Sequence, residues 1–162
     1  MAEIIYPSEN YFASFHRTLD QVAREQIYIE MIEAKPFEEV ARFQRKLIAN
    51  HWPVYYAIEG MEVVGWVDIT PSENPRLAHR GFLGMGLLKP QRGKGLGKKL
   101  LTSALAHAKK SGLEKVELSV YTDNVAAIRL YKKCGFKEIG IVKHYRKLNG
   151  RYFDCVEMEL FL

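Results

Sequence analysis

The chain has 162 residues, 48% of them hydrophobic, which is enough for one core but short of two ordinary domains of about 100 to 150 residues. We therefore expect residues 1–162 to form a single domain. No run approaches the roughly 18 apolar residues of a membrane span, and the first ten residues lack the pattern of a secretory signal, so we expect a cytoplasmic protein. Cys134 and Cys155 belong to no CxxC or Cys/His cluster, which argues against a disulfide framework and a zinc site.

The net charge of +5 suits a polyanionic partner, and the position of the basic residues indicates which kind. An extended nucleic-acid footprint would spread basic residues along a face or interleave them with aromatic residues. Here several of them crowd around one glycine-rich turn: Lys89, Arg92, Lys94, Lys98 and Lys99. The distribution favours a compact phosphorylated ligand over nucleic acid, although some of these lysines also fit the solvated side of a helix.

The first half of the chain predicts two helices and a hairpin. Apolar residues recur at helical spacing from Phe12 to Ala23, and again over residues 37–48 after Pro36. Residues 26–31, between these helices, are ambiguous. Residues 54–58 and 63–69 are rich in β-branched and aromatic side chains and flank a short turn, which predicts an antiparallel hairpin.

The second half predicts a strand, glycine turn, helix, strand and helix in that order. Residues 81–88 form an apolar strand that runs into the glycine turn, and a helix then continues from Leu96 to Gly112. A strand over 115–121 precedes a short helix that Asp123 or Asn124 can cap. Asn149-Gly150 predicts a type I′ turn in a closing hairpin. The whole indicates a mixed α/β domain in three layers with a βαβα core.

The glycine turn carries the clearest chemical signal. Gly93, Gly95 and Gly97 stand at alternate positions between a strand and a helix, where the backbone can approach a ligand and direct several N–H groups at an anion. The order differs from the GxGxxG dinucleotide pattern. It also fails the P-loop pattern, because Lys99 stands where Ser or Thr is needed and Arg92 replaces the earlier glycine.

Residues 92–97 do match the R-x-x-G-x-G pattern of the GCN5-related N-acetyltransferases (GNAT). Downstream, residues 124–136 match the N-x-x-A-x-x-L-Y-x-x-x-G-F segment of the same superfamily. The chain thus resembles this superfamily in element order from about Ile4 to Leu162. The resemblance implies a three-layer GNAT-type fold with a mixed central sheet, acetyl-CoA as cosubstrate and no metal.

The same resemblance implies roles for individual residues. Backbone N–H groups would bind the cofactor's pyrophosphate, with added charge from Arg92 and Lys94; the residues are Arg92, Gly93, Lys94, Gly95, Leu96 and Gly97. The backbone of Met85, Gly86 and Leu87 would pair with the pantetheine amides as an added strand does. Asn124 would contact the pantetheine arm, and it also suits a helix cap. Tyr131 would protonate the departing thiolate.

The general base is where the chain departs from the pattern. Relatives that acetylate ribosomal-protein N-termini carry a glutamate five residues before this asparagine, and the chain has Ser119 there, which cannot serve. Glu117 or His79 acting through water, or water alone, are the alternatives. Cys134 has no evident activating base for an acyl-enzyme, so we expect it to be a packing residue.

Residues 76–79 and 149–154 resemble the branch that acts on free L-amino acids and other small amines. With residues 26–31, they are expected to border the acceptor pocket. The leading hypothesis is direct attack of a small primary amine in a ternary complex. The alternatives are a protein N-terminal or lysine acetyltransferase, whose open groove Tyr145 and Tyr152 would narrow, a non-catalytic CoA sensor, and a nucleic-acid-binding module. A homodimer is compatible with all of them.

Overall fold

A computed structural model describes residues 1–162, with four helices and seven strands. In chain order the elements are β1 (Glu3–Ile5), α1 (Phe12–Arg24), α2 (Phe37–Ala49), β2 (Val54–Glu59), β3 (Glu62–Pro71), β4 (Arg80–Leu87), α3 (Leu96–Lys110), β5 (Lys115–Tyr121), α4 (Val125–Lys133), β6 (Lys137–Leu148) and β7 (Arg151–Phe161). Every helix and strand predicted from the sequence is present, and residues 26–31 form an irregular loop. β1 was not predicted, because three residues are too few to show an alternating pattern.

The seven strands form one sheet in the order β1-β2-β3-β4-β5-β7-β6. Every neighbouring pair is antiparallel except β4 and β5, which run parallel because α3 crosses over between them. Helices cover both faces of the sheet, which confirms the predicted mixed α/β fold in three layers. None of the helices is both long and apolar enough to cross a bilayer.

Each face of the sheet has its own hydrophobic core. On one face, α1 and α2 pack against β2 and β3, where the ring of Phe15 stacks on Tyr56 with centroids 4.8 Å apart and meets Trp66 edge-on. On the other, Leu100 and Leu101 of α3 pack with residues of β3 and β5 and with α4. We call these the α1/α2 face and the α3/α4 face.

The closing hairpin contains the predicted turn and an irregularity that was not predicted. Asn149 and Gly150 have φ values of 50° and 77°, as a type I′ turn requires. Further along, Val142 pairs with Cys155 and Arg146 with Phe153, so β6 carries two extra residues opposite β7. This bulge over residues 143–145 re-aims the side chain of Tyr145.

Gly86 of β4 packs directly against Trp66 of β3. A Cβ atom at Gly86 would lie 2.3 Å from Cη2 of the Trp66 ring, closer than real contacts allow, and the ring is held by the core. We expect Gly86→Ala to lower the free energy of unfolding by about 1 to 3 kcal/mol. Urea unfolding measures this. Gly140→Ala is the matched control, because a Cβ there meets nothing within 4 Å, and an equal loss in both variants would contradict the packing argument.

Candidate active site

The central feature of the sheet is a gap between β4 and β5. The two strands pair only where Arg80, Gly81 and Phe82 lie opposite residues 115–117. Beyond Phe82, β4 continues to Leu87 bonded to β3 alone, while β5 continues to Tyr121 bonded to β7 alone. The strands therefore separate and leave one edge of residues 83–87 free. A free edge of β4 can hydrogen-bond an extended ligand as a further strand would.

The glycine turn lies at the open end of this gap and leads into α3. Gly93 and Gly95 have φ values of 75° and 79°, a left-handed conformation that glycine adopts without steric cost. The backbone N–H groups of residues 93–98 donate to no backbone carbonyl. These free donors, at the positive end of the α3 dipole, fit the pyrophosphate of acetyl-CoA. The role assigned to Gly93, Lys94, Gly95, Leu96 and Gly97 stays a prediction that this geometry favours.

The side chain of Arg92 is held by an ion pair that the sequence did not predict. Its guanidinium makes two hydrogen bonds to the carboxylate of Glu25, at 2.6 and 2.8 Å, and donates to the Leu87 carbonyl. It also stacks on the Tyr28 ring, 4.3 Å from the centroid. Glu25 neutralises the charge of Arg92 in this arrangement, and a contact between Arg92 and the pyrophosphate stays a prediction. Arg92 ties the glycine turn to the end of α1, and Lys94, which is exposed and unpaired, is left as the free cation in the turn.

The remaining residues assigned to the cofactor line the gap. The side chains of Met85 and Leu87 pack against the core of the α3/α4 face, so only their backbone groups remain for the free edge of β4, and the Leu87 carbonyl already accepts from Arg92. Gly86 lies between them, and its carbonyl points towards Gly65 of β3 rather than into the gap. The Asn124 side chain accepts a hydrogen bond from the Ala127 N–H at 3.2 Å, which confirms its capping role. Its contact with the pantetheine arm stays a prediction.

Tyr131 of α4 has a buried ring and an available hydroxyl. Its ring packs edge-on against Phe136, with centroids 5.8 Å apart, and only 7% of the residue is exposed. The Tyr131 hydroxyl makes no hydrogen bond within the chain. Tyr121 has the only side-chain oxygen or nitrogen that is both fully buried and unpaired, so the unpaired Tyr131 hydroxyl is not fully buried and reaches solvent. Burial raises the pKa of Tyr131 well above that of an ordinary phenol, so the hydroxyl stays protonated at working pH.

The groups weighed as bases are placed unfavourably. Glu117 bonds to Arg80 at 2.7 Å and to Lys115 at 3.3 Å. Burial opposes ionisation of Glu117, but these two cations outweigh it and keep its pKa below the ordinary value, so the carboxylate is a poor base. His79 lies before β4 at the closed end of the gap, where its carbonyl accepts from Glu114 and Lys115.

The two cysteines also lie outside any catalytic arrangement. Cys134 ends α4 and is partly buried against the core, and burial raises the pKa of its thiol, which disfavours the thiolate. Cys155 is buried on β7, where burial raises the pKa of its thiol to about 12. No group of three or more His, Cys, Asp or Glu side chains lies close enough to hold a metal ion.

Of the three segments expected at the acceptor pocket, residues 26–31 contact the β6 bulge and Arg146, which lie outside the predicted segment 149–154. The Tyr145 hydroxyl bonds to the Glu30 carboxylate, and the Arg146 guanidinium donates to the carbonyls of Gln26 and Glu30. The β6 bulge therefore bridges to the loop over residues 26–31. The structure does not bring residues 76–79 to this region as expected, because they precede β4 at the closed end of the gap. Tyr152 stacks on His144, with ring centroids 4.1 Å apart, and takes no part in the bridge.

Two residues of this region, Glu25 and Asp68, were not indicated by any sequence pattern. Glu25 is missed because nothing in a helix end signals a partner 67 positions away. Asp68 is missed because it interrupts an otherwise apolar strand without any motif around it. Asp68 lies on the α1/α2 face of β3, and Gly84 is its cross-strand partner on β4. An acidic residue within a buried run is itself the signal that could have identified it.

Comparison with known proteins assigns the family. A model of the Acetyltransferase (GNAT) family matches residues 17–136. The L-amino acid N-acetyltransferase AaaT of Escherichia coli K12 is 31% identical over 98 residues, which is 60% of this chain and 60% of that protein. An N-alpha-acetyltransferase of Sulfolobus acidocaldarius is 28% identical over 140 residues, 72% of this chain and 83% of that protein.

A solved structure described as the acetyltransferase of GNAT family from Streptococcus pneumoniae superposes with a TM-score of 0.93, at 26% identity and with 100% of both chains covered. The mixed α/β fold agrees with these matches. The chain therefore belongs to the GNAT acetyltransferase family, and it is an N-acetyltransferase that uses acetyl-CoA as its acetyl donor.

Proposed function

We propose that the chain, as one catalytic domain over residues 1–162, acetylates a small primary amine such as a free amino acid. The observation that carries this proposal is the bridge from the β6 bulge to the loop over residues 26–31. A peptide acceptor needs an open groove so that its chain can continue past the reacting amine. The bonds from Tyr145 and Arg146 close such a groove on the α1/α2 face and favour an acceptor that ends within the pocket.

The gap between β4 and β5 supports the position of the donor. When bound, acetyl-CoA supplies a thioester whose carbonyl carbon accepts the amine. The free edge of residues 83–87 offers backbone groups to the pantetheine amides, and a β4 N–H stabilises the developing oxyanion. The donors of residues 93–98 hold the pyrophosphate. The acceptor then approaches from the α1/α2 face, opposite α3 and α4.

Tyr131 is assigned to the leaving thiolate. Its hydroxyl is protonated at working pH, because burial raises its pKa. A phenol that is a weaker acid than the CoA thiol, whose pKa is about 8.5, stabilises the departing sulfur by hydrogen-bond donation before any proton is fully transferred. Tyr131 therefore acts on charge that develops only during bond cleavage, which is the condition for a rate effect rather than a binding effect.

A panel of amines tests the acceptor class. We expect CoA thiol release with one or more free amino acids or other small amines, and no release with N-terminal peptides. Opening the bridge gives the sharper measurement: Tyr145→Phe removes the hydroxyl that bonds Glu30 and should raise the acceptor KM about 5- to 20-fold, since a hydrogen bond to a charged group contributes about 1.5 to 3 kcal/mol and this exposed one falls near or below the lower end of that range. Tyr152→Phe, outside the bridge, is the control. Turnover of peptides in preference to small amines would reject the proposal.

A protein N-terminal acetyltransferase is the second candidate. The similarity to the N-alpha-acetyltransferase of Sulfolobus acidocaldarius, which spans 72% of this chain, favours it. Ser119 and the bridge at Tyr145 weigh against it, because neither a base at position 119 nor an open groove is available. The peptides in the panel discriminate between the two candidates.

The proposal also includes a cytoplasmic location and a homodimer. β6 is the last strand of the sheet and exposes the apolar side chains of Ile139, Ile141 and Val142. A second copy of the chain can cover this strip by an isologous contact, the commonest arrangement of two identical subunits. Light scattering of the purified chain measures the assembly.

A further inference from the structure

On the α1/α2 face of the sheet, a row of residues crosses the gap. Asp68 of β3 lies opposite Gly84 of β4, and Ser119 of β5 lies opposite Glu157 of β7. Phe82 is the parallel partner of Glu117, so Gly84 and Ser119, each two residues further, face one another where the strands have separated. Gly84 has no side chain, and Ser119 has a short exposed one. The row therefore contains an open space between two carboxylates, next to the free edge of β4.

Asp68 and Glu157 are the carboxylates near this space that have no cationic partner, and of the two it is Asp68 that lies opposite Gly84 of β4. No Lys, Arg or His nitrogen lies within 4.0 Å of it, and its one hydrogen bond is a long contact of 3.4 Å from the Thr70 hydroxyl. Glu117 is held by Arg80 and Lys115, Glu25 by Arg92, and Glu30 by the Tyr145 hydroxyl. The Asp68 carboxylate lies 3.6 Å from the position that a Cβ at Gly84 would occupy, so it faces the open space.

The groups packed around Asp68 supply little that would stabilise its charge. From β2, the Tyr56 hydroxyl donates to Gln44 instead. The arginines of α1 are engaged elsewhere and exposed, Arg17 with Glu62 and Arg24 with Asp20 and Glu33. From β4, the neighbours on this face are Phe82, Gly84 and Gly86, which carry no charge. Burial without compensation raises the pKa of Asp68 to about 7. A general base is most effective when its pKa lies near the working pH.

We propose that Asp68 is the general base of the reaction and takes the proton from the acceptor ammonium in the space over Gly84. This inference rests on the proposed function and adds the group that the family pattern leaves open at Ser119. The lack of a side chain at Gly84 lets the nitrogen reach both the Asp68 carboxylate and the edge of β4. Glu157, on the far side of Ser119, is the competing carboxylate.

The step balances in atoms and charge. The ammonium gives one proton to the Asp68 carboxylate, and the freed nitrogen lone pair forms the bond to the thioester carbon. The C–S bond breaks, and its electron pair goes to sulfur. The nitrogen loses a second proton to solvent as the amide forms, the thiolate gains one from Tyr131, and solvent returns a proton to Tyr131. Asp68 then releases its proton to solvent, so each turnover yields one amide, one thiol and one proton.

The pH dependence of turnover tests the role of Asp68. With an acceptor that the panel identifies, we expect kcat of the unmodified enzyme to rise with pH across a pKa near 7. This rise is the limb of the pH profile that the proposal assigns to Asp68. Asp68→Asn should lower kcat at pH 7 at least about 100-fold, remove this limb and leave the acceptor KM within a few-fold. Glu117→Gln should keep the limb. A limb retained in Asp68→Asn, or lost in Glu157→Gln in its place, overturns the proposal.

A second readout requires no acceptor. An Asp whose pKa is raised on folding binds a proton in the native state that the unfolded state has lost, so stability falls as pH rises from about 4 to 7. Asp68→Asn lacks this pH-dependent loss of stability. The Tm of the variant minus the Tm of the unmodified protein should therefore increase between pH 5 and pH 8. A constant difference in Tm would show that Asp68 does not titrate there and would overturn the proposal. If the panel identifies no acceptor, the proposed function fails while this measurement still reports on Asp68.

Discussion

Tyr131→Phe is expected to lower kcat about 100-fold or more, while the KM for acetyl-CoA changes little. The ring stays in place against Phe136, and the hydroxyl that is removed makes no hydrogen bond within the chain, so neither the fold nor ground-state binding depends on it. What is lost is the donor to the departing sulfur. Thiol release at saturating acceptor, with urea unfolding of the same variant, measures the two effects separately.

Tyr55→Phe is the matched control for this substitution. Tyr55 is also a partly buried tyrosine, and its hydroxyl bonds to His107 on the α3/α4 side, away from the gap. We expect it to lose some stability and no turnover. Because the pKa of Tyr131 is raised, its deprotonation should also produce no fall in kcat below about pH 10. Full turnover in Tyr131→Phe would remove the residue from the mechanism.

Gly95→Val is expected to raise the Kd for acetyl-CoA about 10- to 100-fold. At a φ of 79° an L-residue loses about 1 to 2 kcal/mol relative to glycine, and a β-branched side chain loses more. A Cβ at Gly95 meets no atom within 4 Å, so no steric clash complicates the result. The turn is expected to relax toward negative φ, which redirects the N–H donors ahead of α3. Isothermal titration with CoA measures the affinity.

Lys94→Val, one position earlier, separates the shape of the turn from its charge. Lys94 has no positive φ and is exposed, so valine there introduces no backbone strain and removes only the free cation. The effect of Lys94→Val on the Kd should be smaller than that of Gly95→Val, and it should decrease as salt is added, because exposed charges are screened. The effect of Gly95→Val should persist in salt. Unchanged binding in a folded Gly95→Val variant would contradict the assignment of the turn.

The regular elements could be predicted because each shows its own local pattern. Leu96, Leu100 and Leu101 repeat at helical spacing, and Asn149-Gly150 specifies its turn by backbone conformation alone. The β6 bulge could not be predicted, because it depends on how residues 143–145 fit against Asp154, whose carboxylate accepts from the His144 N–H at 2.9 Å. That contact exists only once β6 and β7 have paired.

The site was predictable in its backbone and less so in its side chains. The glycines at 93, 95 and 97 reveal a turn because glycine conformations are a local property. The partner of Arg92 is not local: Glu25 directly follows α1, and sequence alone suggested a free charge where the structure has an ion pair. Asp68 has the same difficulty. Its raised pKa comes from neighbours on other strands and helices, and no spacing along the chain encodes it.

The gap between β4 and β5 also bears on how the protein avoids aggregation by the addition of strands to its sheet. An unpaired strand at the outside of a sheet invites strands of other molecules to add, and each added strand presents a new edge. The unpaired stretch of β4 is interior, with β5 and then β7 and β6 beyond it. An extended ligand that enters the gap pairs with β4 on one side and has β5 on its other side. It therefore presents no free edge to which a further strand could add. The protein can thus present bare backbone groups to a linear ligand without templating aggregation.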